Sequence, residues 1–226
     1  MKSQSLNLYA VVPADEALKL DSAVGSKFGL VTWGPFTALV GASSRQCQTP
    51  AAAMRHDGVV WVALEKCFTV LPFRLGTCLG NATEVSSVLE LNAQGLTEQL
   101  RRLHGRVEMG LKARMDPQPQ EEDTPGIGLR FFEGLGGLRE LAPLCADRHE
   151  RFSRRADKNL FDGRYLVARS DVERFWSAVS VLRKSMPAVP MIASGPWAPY
   201  SFAEMVLAQG AERQGSQSMG VDHAAN

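Results

Sequence analysis

The chain has 226 residues, 45% of them hydrophobic and 22% charged, with a formal net charge of +1. That balance describes a globular protein of one large or two small domains, and it supplies no global electrostatic footprint for nucleic acid or an anionic membrane. No apolar run reaches the roughly 18–20 residues needed to span a bilayer. The opening MKSQSLNLYAVVPADE is broken by Pro13 and acids, unlike a signal peptide, so a cytoplasmic protein is expected.

In chain order, LNLYAVV (Leu6–Val12) and FTALVGA (Phe36–Ala42) read as strands. Thr49 followed by Pro50 is an N-cap with proline at the first helical position, opening a helix to about Phe68 with Val60, Leu64 and Cys67 on one face. VLPFRLG (Val70–Gly76) reads as a strand whose Pro72 demands an edge position or a bulge. Thr83 is expected to cap a short helix, and Leu96, Leu100 and Leu103 mark a buried helical stripe. In RVEMGLKARM, Val107, Met109, Leu111 and Ala113 alternate with Arg106, Glu108, Lys112 and Arg114. The pattern predicts an antiparallel strand with one dry and one wet face.

Residues 115–128, MDPQPQEEDTPGIG, carry three prolines and four acids without apolar periodicity, as an exposed linker does. Beyond them, a helical stretch is expected over Phe131–Arg148, then strands RFSRRAD and GRYLVAR joined by a turn-like Asn159–Gly163. Ser170 with Glu173 reads as a capping box ahead of an amphipathic helix bearing Val172, Phe175, Trp176, Val179, Leu182 and Met186. VPMIASG (Val189–Gly195) reads as the last strand. The resulting fold class is α+β in two domains, each an antiparallel sheet with helices on one face. The boundaries are 1–115 for the first domain, 116–128 for the linker and 129–202 for the second domain. A tail at 203–226 has too few apolar residues to build a core.

No nucleophile–base pair, carboxylate cluster, metal spacing or phosphate loop emerges, so no catalytic, metal or cofactor site is expected. Cys47, Cys67, Cys78 and Cys145 lack C-x-x-C spacing and read as reduced thiols. The basic run over Asp147–Arg169 fits a solvated hairpin or an RNA contact; interleaved acids favour the hairpin. Arg74, alone in an apolar run, either points at water, pairs across the fold or meets a partner. GPWAPYSF (Gly195–Phe202) packs Trp197, Tyr200 and Phe202 among prolines. Those rings either close a core gap or anchor another protein, and a stiffened segment loses little entropy in either role.

SGPWAPYSF, VLPFRLGT (Val70–Thr77), YAVVPA (Tyr9–Ala14), GRYLVAR and His56-x-x-Val59-Val60 together resemble the gas vesicle GvpL/GvpF family, in the family's order and over nearly the whole chain. The resemblance implies a ferredoxin-like first domain and a gas vesicle accessory protein that is not an enzyme. Such a protein would bind the hydrophobic shell protein and other accessory proteins during nucleation and limit shell-protein aggregation. It would work at the gas vesicle, in the cytoplasm, without nucleic acid, membrane or cofactor. Pro72, Phe73, Arg74, Trp197, Tyr200 and Phe202 are the candidate partner contacts. The alternative is an RNA- or ligand-binding adaptor built on ferredoxin-like domains.

Overall fold

The computed structural model describes residues 5–21, 28–43, 49–114, 135–152, 159–187 and 189–203. The proposed linker at 116–128 and all of the tail but Ala203 lie outside them. The first sheet is built from β1 (Leu6–Pro13), β2 (Gly29–Trp33), β3 (Phe36–Ala42), β4 (Leu71–Pro72) and β5 (Cys78–Leu79). Its order is β2-β3-β1-β4, with β5 also pairing β1, and every pairing is antiparallel. Because β3 lies between β1 and β2, this order is compatible with a ferredoxin-like arrangement. β3 is buried without interruption from Phe36 to Val40, which requires cover on both faces. Helices α1 (Ala14–Asp21) and α2 (Pro50–Lys66) supply one side, and α3 (Ala82–Leu91) and α4 (Ala93–Leu103) the other. Helices on one face were expected from the sequence, because alternation in single strands does not reveal a second layer.

VLPFRLGT forms an interrupted edge strand. Leu71 and Pro72 pair with Val11 and Ala10, and Leu79 and Cys78 with Leu6 and Asn7. Between them the chain turns, with the Thr77 amide donating to the Arg74 carbonyl at 3.2 Å and Gly76 at φ +90°. Pro72 thus sits at the sheet edge, where its missing N–H costs nothing. Helix α2 begins as expected, with Thr49 Oγ1 accepting from the Ala52 amide at 3.2 Å. Helix α3 is capped by Asn81, whose Oδ1 accepts from the Glu84 amide, and not by Thr83.

The second sheet has the order β7-β8-β6-β9, from β6 (Arg106–Arg114), β7 (Cys145–Phe152), β8 (Asn159–Ala168) and β9 (Met191–Trp197). The strand 106–114, placed with the first domain on sequence, is a central member of this sheet, flanked by β8 and β9. Residues 145–148 are strand, not helix, and the helical part of the preceding stretch is a 3-10 segment over Leu135–Leu144. Residues 159–163 are also strand rather than turn, because Asp162 and Gly163 continue the β6–β8 ladder. Helix α5 (Val172–Ser185) is preceded by a 3-10 turn over Arg169–Asp171, so Ser170 is not its cap. Phe175, Val179 and Leu182 on α5 are buried against Val107, Met109, Leu111 and Ala113 of β6. Among the described residues, no helix is long and apolar enough to cross a membrane.

Candidate functional site

The outer face of the second sheet carries Glu108 of β6 and Arg164 of β8. Contrary to the wet face expected there, Glu108 is only 6% exposed. The reason is the end of the chain. After Trp197 the segment turns at Ala198–Pro199 into a 3-10 turn, Tyr200–Phe202, that lies over Glu108. Glu108 Oε2 accepts from the Ser201 amide and Oε1 from Ser201 Oγ, both at 2.8 Å, while Arg164 Nε stands 3.9 Å from Oε1. A buried carboxylate is tolerable because donors and a guanidinium compensate its lost hydration. β9 runs through Pro196 because β9 is an edge strand, and the Gly195–Pro196 peptide is cis.

Facing this segment is α2. Its buried residues, Ala52, His56, Val59, Val60, Ala63 and Leu64, look inward. Asp57, Gly58 and Trp61 look toward the aromatic segment, and between the two lies a groove of about 580 Å³. Val60, Trp61 and Leu64 form one wall, Trp197, Ala198, Tyr200 and Ser201 the other, and Glu108 and Arg164 close its depth. Trp61 is 44% exposed and Trp197 48%, and their rings meet edge-to-face at 6.4 Å between centroids. Trp61 Nε1 donates to Glu65 Oε1 at 2.9 Å, which fixes the indole. The Tyr200 hydroxyl lies 3.5 Å from Asp57 Oδ1, and burial together with that carboxylate raises its pKa.

The six sequence-derived candidates divide. Trp197 and the half-buried Tyr200 line the groove, whereas Phe202 is fully buried, with Leu166 and His149 beside it. Pro72 and Phe73 are buried as well, and Arg74 is exposed at the turn. The Phe73 carbonyl faces His56 Nε2 at 2.9 Å, so that motif and the aromatic segment meet through His56, whose ring lies tilted beside that of Tyr200 at 6.3 Å between centroids. The sequence reading missed Asp57, Trp61, Glu108 and Arg164. A signal for Trp61 existed: it stands off the Val60–Leu64–Cys67 stripe, where an indole gains no core contact. No local signal marked Glu108, whose cover arrives from residues ninety positions on.

Chemically the groove offers indole faces, the Glu108–Arg164 pair and the Asp57 carboxylate. Burial raises the Cys67 thiol to about 12, which leaves it protonated at neutral pH. Among the described residues, no three His, Cys, Asp or Glu side chains are grouped to hold a metal ion.

A family model described as gas vesicle synthesis protein GvpL/GvpF matches residues 6–126 and 137–204. Gas vesicle protein L of a Streptomyces species is 31% identical over 185 residues, covering 67% of this chain and 68% of that protein. Gas vesicle protein F2 of Halobacterium salinarum is 23% identical over 224 residues, covering 96% and 100% of the two chains. The crystal structure of GvpF from Anabaena matches with a TM-score of 0.71 at 18% identity, over 90% of this chain and 100% of that one. GvpF from Microcystis aeruginosa gives 0.68 at 16% identity, over 89% and 99%. Both solved structures share the two-sheet α+β architecture.

Proposed function

This chain belongs to the gas vesicle synthesis protein GvpL/GvpF family, and from that premise we propose that it binds the hydrophobic shell protein and other accessory proteins during nucleation of the vesicle. It is a gas vesicle accessory protein. A protein destined for a gas-tight wall presents apolar surface before assembly, and such surface aggregates unless covered. The accessory protein covers it at the vesicle, in the cytoplasm, and releases it to the growing wall without bond chemistry or a cofactor.

One observation carries this reading: two half-exposed indoles, Trp61 and Trp197, border a single groove. Tryptophan is enriched among the residues that dominate protein interfaces, and here a proline-stiffened segment holds one of the two rings. The half-buried Tyr200 in the groove and the exposed Arg74 are the other accessible candidates, whereas Pro72, Phe73 and Phe202 act by shaping the scaffold behind the contact.

The test is co-purification of shell protein with Trp197→Ala, read beside a thermal melt. Capture is expected to fall roughly ten-fold while the variant stays folded. A folded Trp197→Ala protein that captures shell protein as well as wild type would overturn the reading.

A further inference from the structure

We propose that the groove between Trp61 and Trp197 receives a cationic side chain, an arginine or lysine carried by a partner segment whose neighbouring residues are apolar. The inference rests on the reading that this groove is a partner site, and it names the chemistry the partner brings.

Three observations converge. The first is the pair of rings. Their planes meet at 63°, and an edge-to-face pair leaves an indole face open; that face carries the negative part of the ring quadrupole and attracts cations. The hydrogen bond from Trp61 Nε1 to Glu65 holds one ring ready.

The second is charge. Arg164 is offset by Asp162 at 3.5 Å and by Glu108 at 3.9 Å, so it is a poor anchor for an anion. Asp57 contacts the neutral hydroxyl of Tyr200, and Glu65 the neutral indole N–H of Trp61. Neither forms an ion pair with a lysine or arginine among the described residues. Asp57 and Glu65, beside the two indoles, thus add negative potential that no close lysine or arginine pair offsets among the described residues.

The third is size. A groove of about 580 Å³ falls in the range that holds a whole small ligand, so a bare ion would leave most of it empty. Met54, 77% exposed, stands on α2 two turns before Trp61, so the exposed strip of that helix continues past Asp57 and Gly58 to an apolar side chain beyond the groove. An occupant with one charge and greasy flanks satisfies both the volume and the strip.

The experiment titrates the full chain with acetyl-Leu-Ala-Arg-Ala-Leu-amide and with versions carrying lysine or citrulline at the centre, followed by indole fluorescence and calorimetry. Citrulline keeps the shape of arginine and removes its charge. The arginine and lysine peptides are expected to bind, with the citrulline peptide about ten-fold weaker. Asp57→Asn and Trp61→Leu, both at exposed positions, are each expected to weaken the arginine peptide several-fold without shifting the thermal melt. Equal binding of arginine and citrulline peptides, undiminished affinity in both variants, or no binding by any peptide would overturn the proposal. Shell-protein capture is measured separately. Capture that depends on Trp197 without charge discrimination by the peptides sinks only the cationic specificity. Charge discrimination without shell-protein capture sinks only the shell-protein reading.

Discussion

His56 shows how one side chain ties distant motifs together. It is 3% exposed, its Nε2 lies 2.9 Å from the Phe73 carbonyl, and its ring contacts Tyr9 edge-on at 5.3 Å. A carbonyl only accepts, so Nε2 carries a proton and donates it to Phe73. Burial lowers its pKa, outweighing the bond to Phe73 and the nearby charge of Asp57, which both act to raise it. The unfolded chain therefore binds a proton more readily than the folded one. The stability that His56 contributes is complete above the unfolded value of about 6.5, and it is lost as pH falls from there through the lowered folded value. Thermal melts are expected to be flat between about pH 6.5 and about pH 8, where neither His56 nor the buried Cys67 thiol titrates in the unfolded chain, and to decline below that window, with the acid decline reduced in His56→Gln, which keeps a donor for Phe73. An acid limb identical in both proteins would refute this assignment. The identity of His56 was visible in the sequence as part of a motif. Its partner was not, because a 17-residue separation closes only through the sheet edge.

At the level of elements, β9 and the aromatic turn form one device that delivers Trp197 to the groove and Ser201 to Glu108. Gly195 is its tightest point: φ is +118°, and a Cβ there would stand 2.8 Å from the Glu108 carbonyl oxygen. Gly195→Ala is expected to cost about 2–3 kcal/mol, measured as a lower urea midpoint, and to reduce shell-protein capture through the displaced indole. An unchanged midpoint would contradict it. Most elements were legible because their periodicity is local: the α4 stripe of Leu96, Leu100 and Leu103 and the α5 stripe of Phe175, Val179 and Leu182 are buried as read. Misreadings fell where tertiary pairing overrides local preference. Asn159–Gly163 has turn-like composition yet continues a ladder with β6, and Cys145–Arg148 is drawn into a strand by β8. Glu108 sat correctly in the alternation but was assigned to water, since nothing within the strand announces the segment that covers it.

For the molecule as a whole, the two sheets share their interior. One core cluster takes Ala10, Leu20 and Leu64 from the first half and Met109, Tyr165 and Phe175 from the second. Leu166 and Phe202 join α3 and α4 in the other. Arg169, after β8, donates through one guanidinium nitrogen to the Leu64 and Cys67 carbonyls at 2.8 and 3.1 Å, and Arg102 of α4 pairs with Asp147 of β7. Urea unfolding followed by circular dichroism and by indole fluorescence is therefore expected to trace one coincident transition. Two separated transitions would show that each half holds its structure alone. The acidic, proline-rich stretch suggested a linker between two domains, and composition of that kind reports solvent exposure without saying which residues share an interior. Arg169 also bears on the helix it grips. His56 ties the middle of α2 to the Phe73 carbonyl beside the first sheet, and Arg169, which follows a strand of the second sheet, ties its finish, so the helix bearing Trp61 is held from both sides. If the groove takes a partner segment as proposed, a wall held in this way is expected to act as a gauge, selecting a visitor by its own dimensions with little rearrangement of the host.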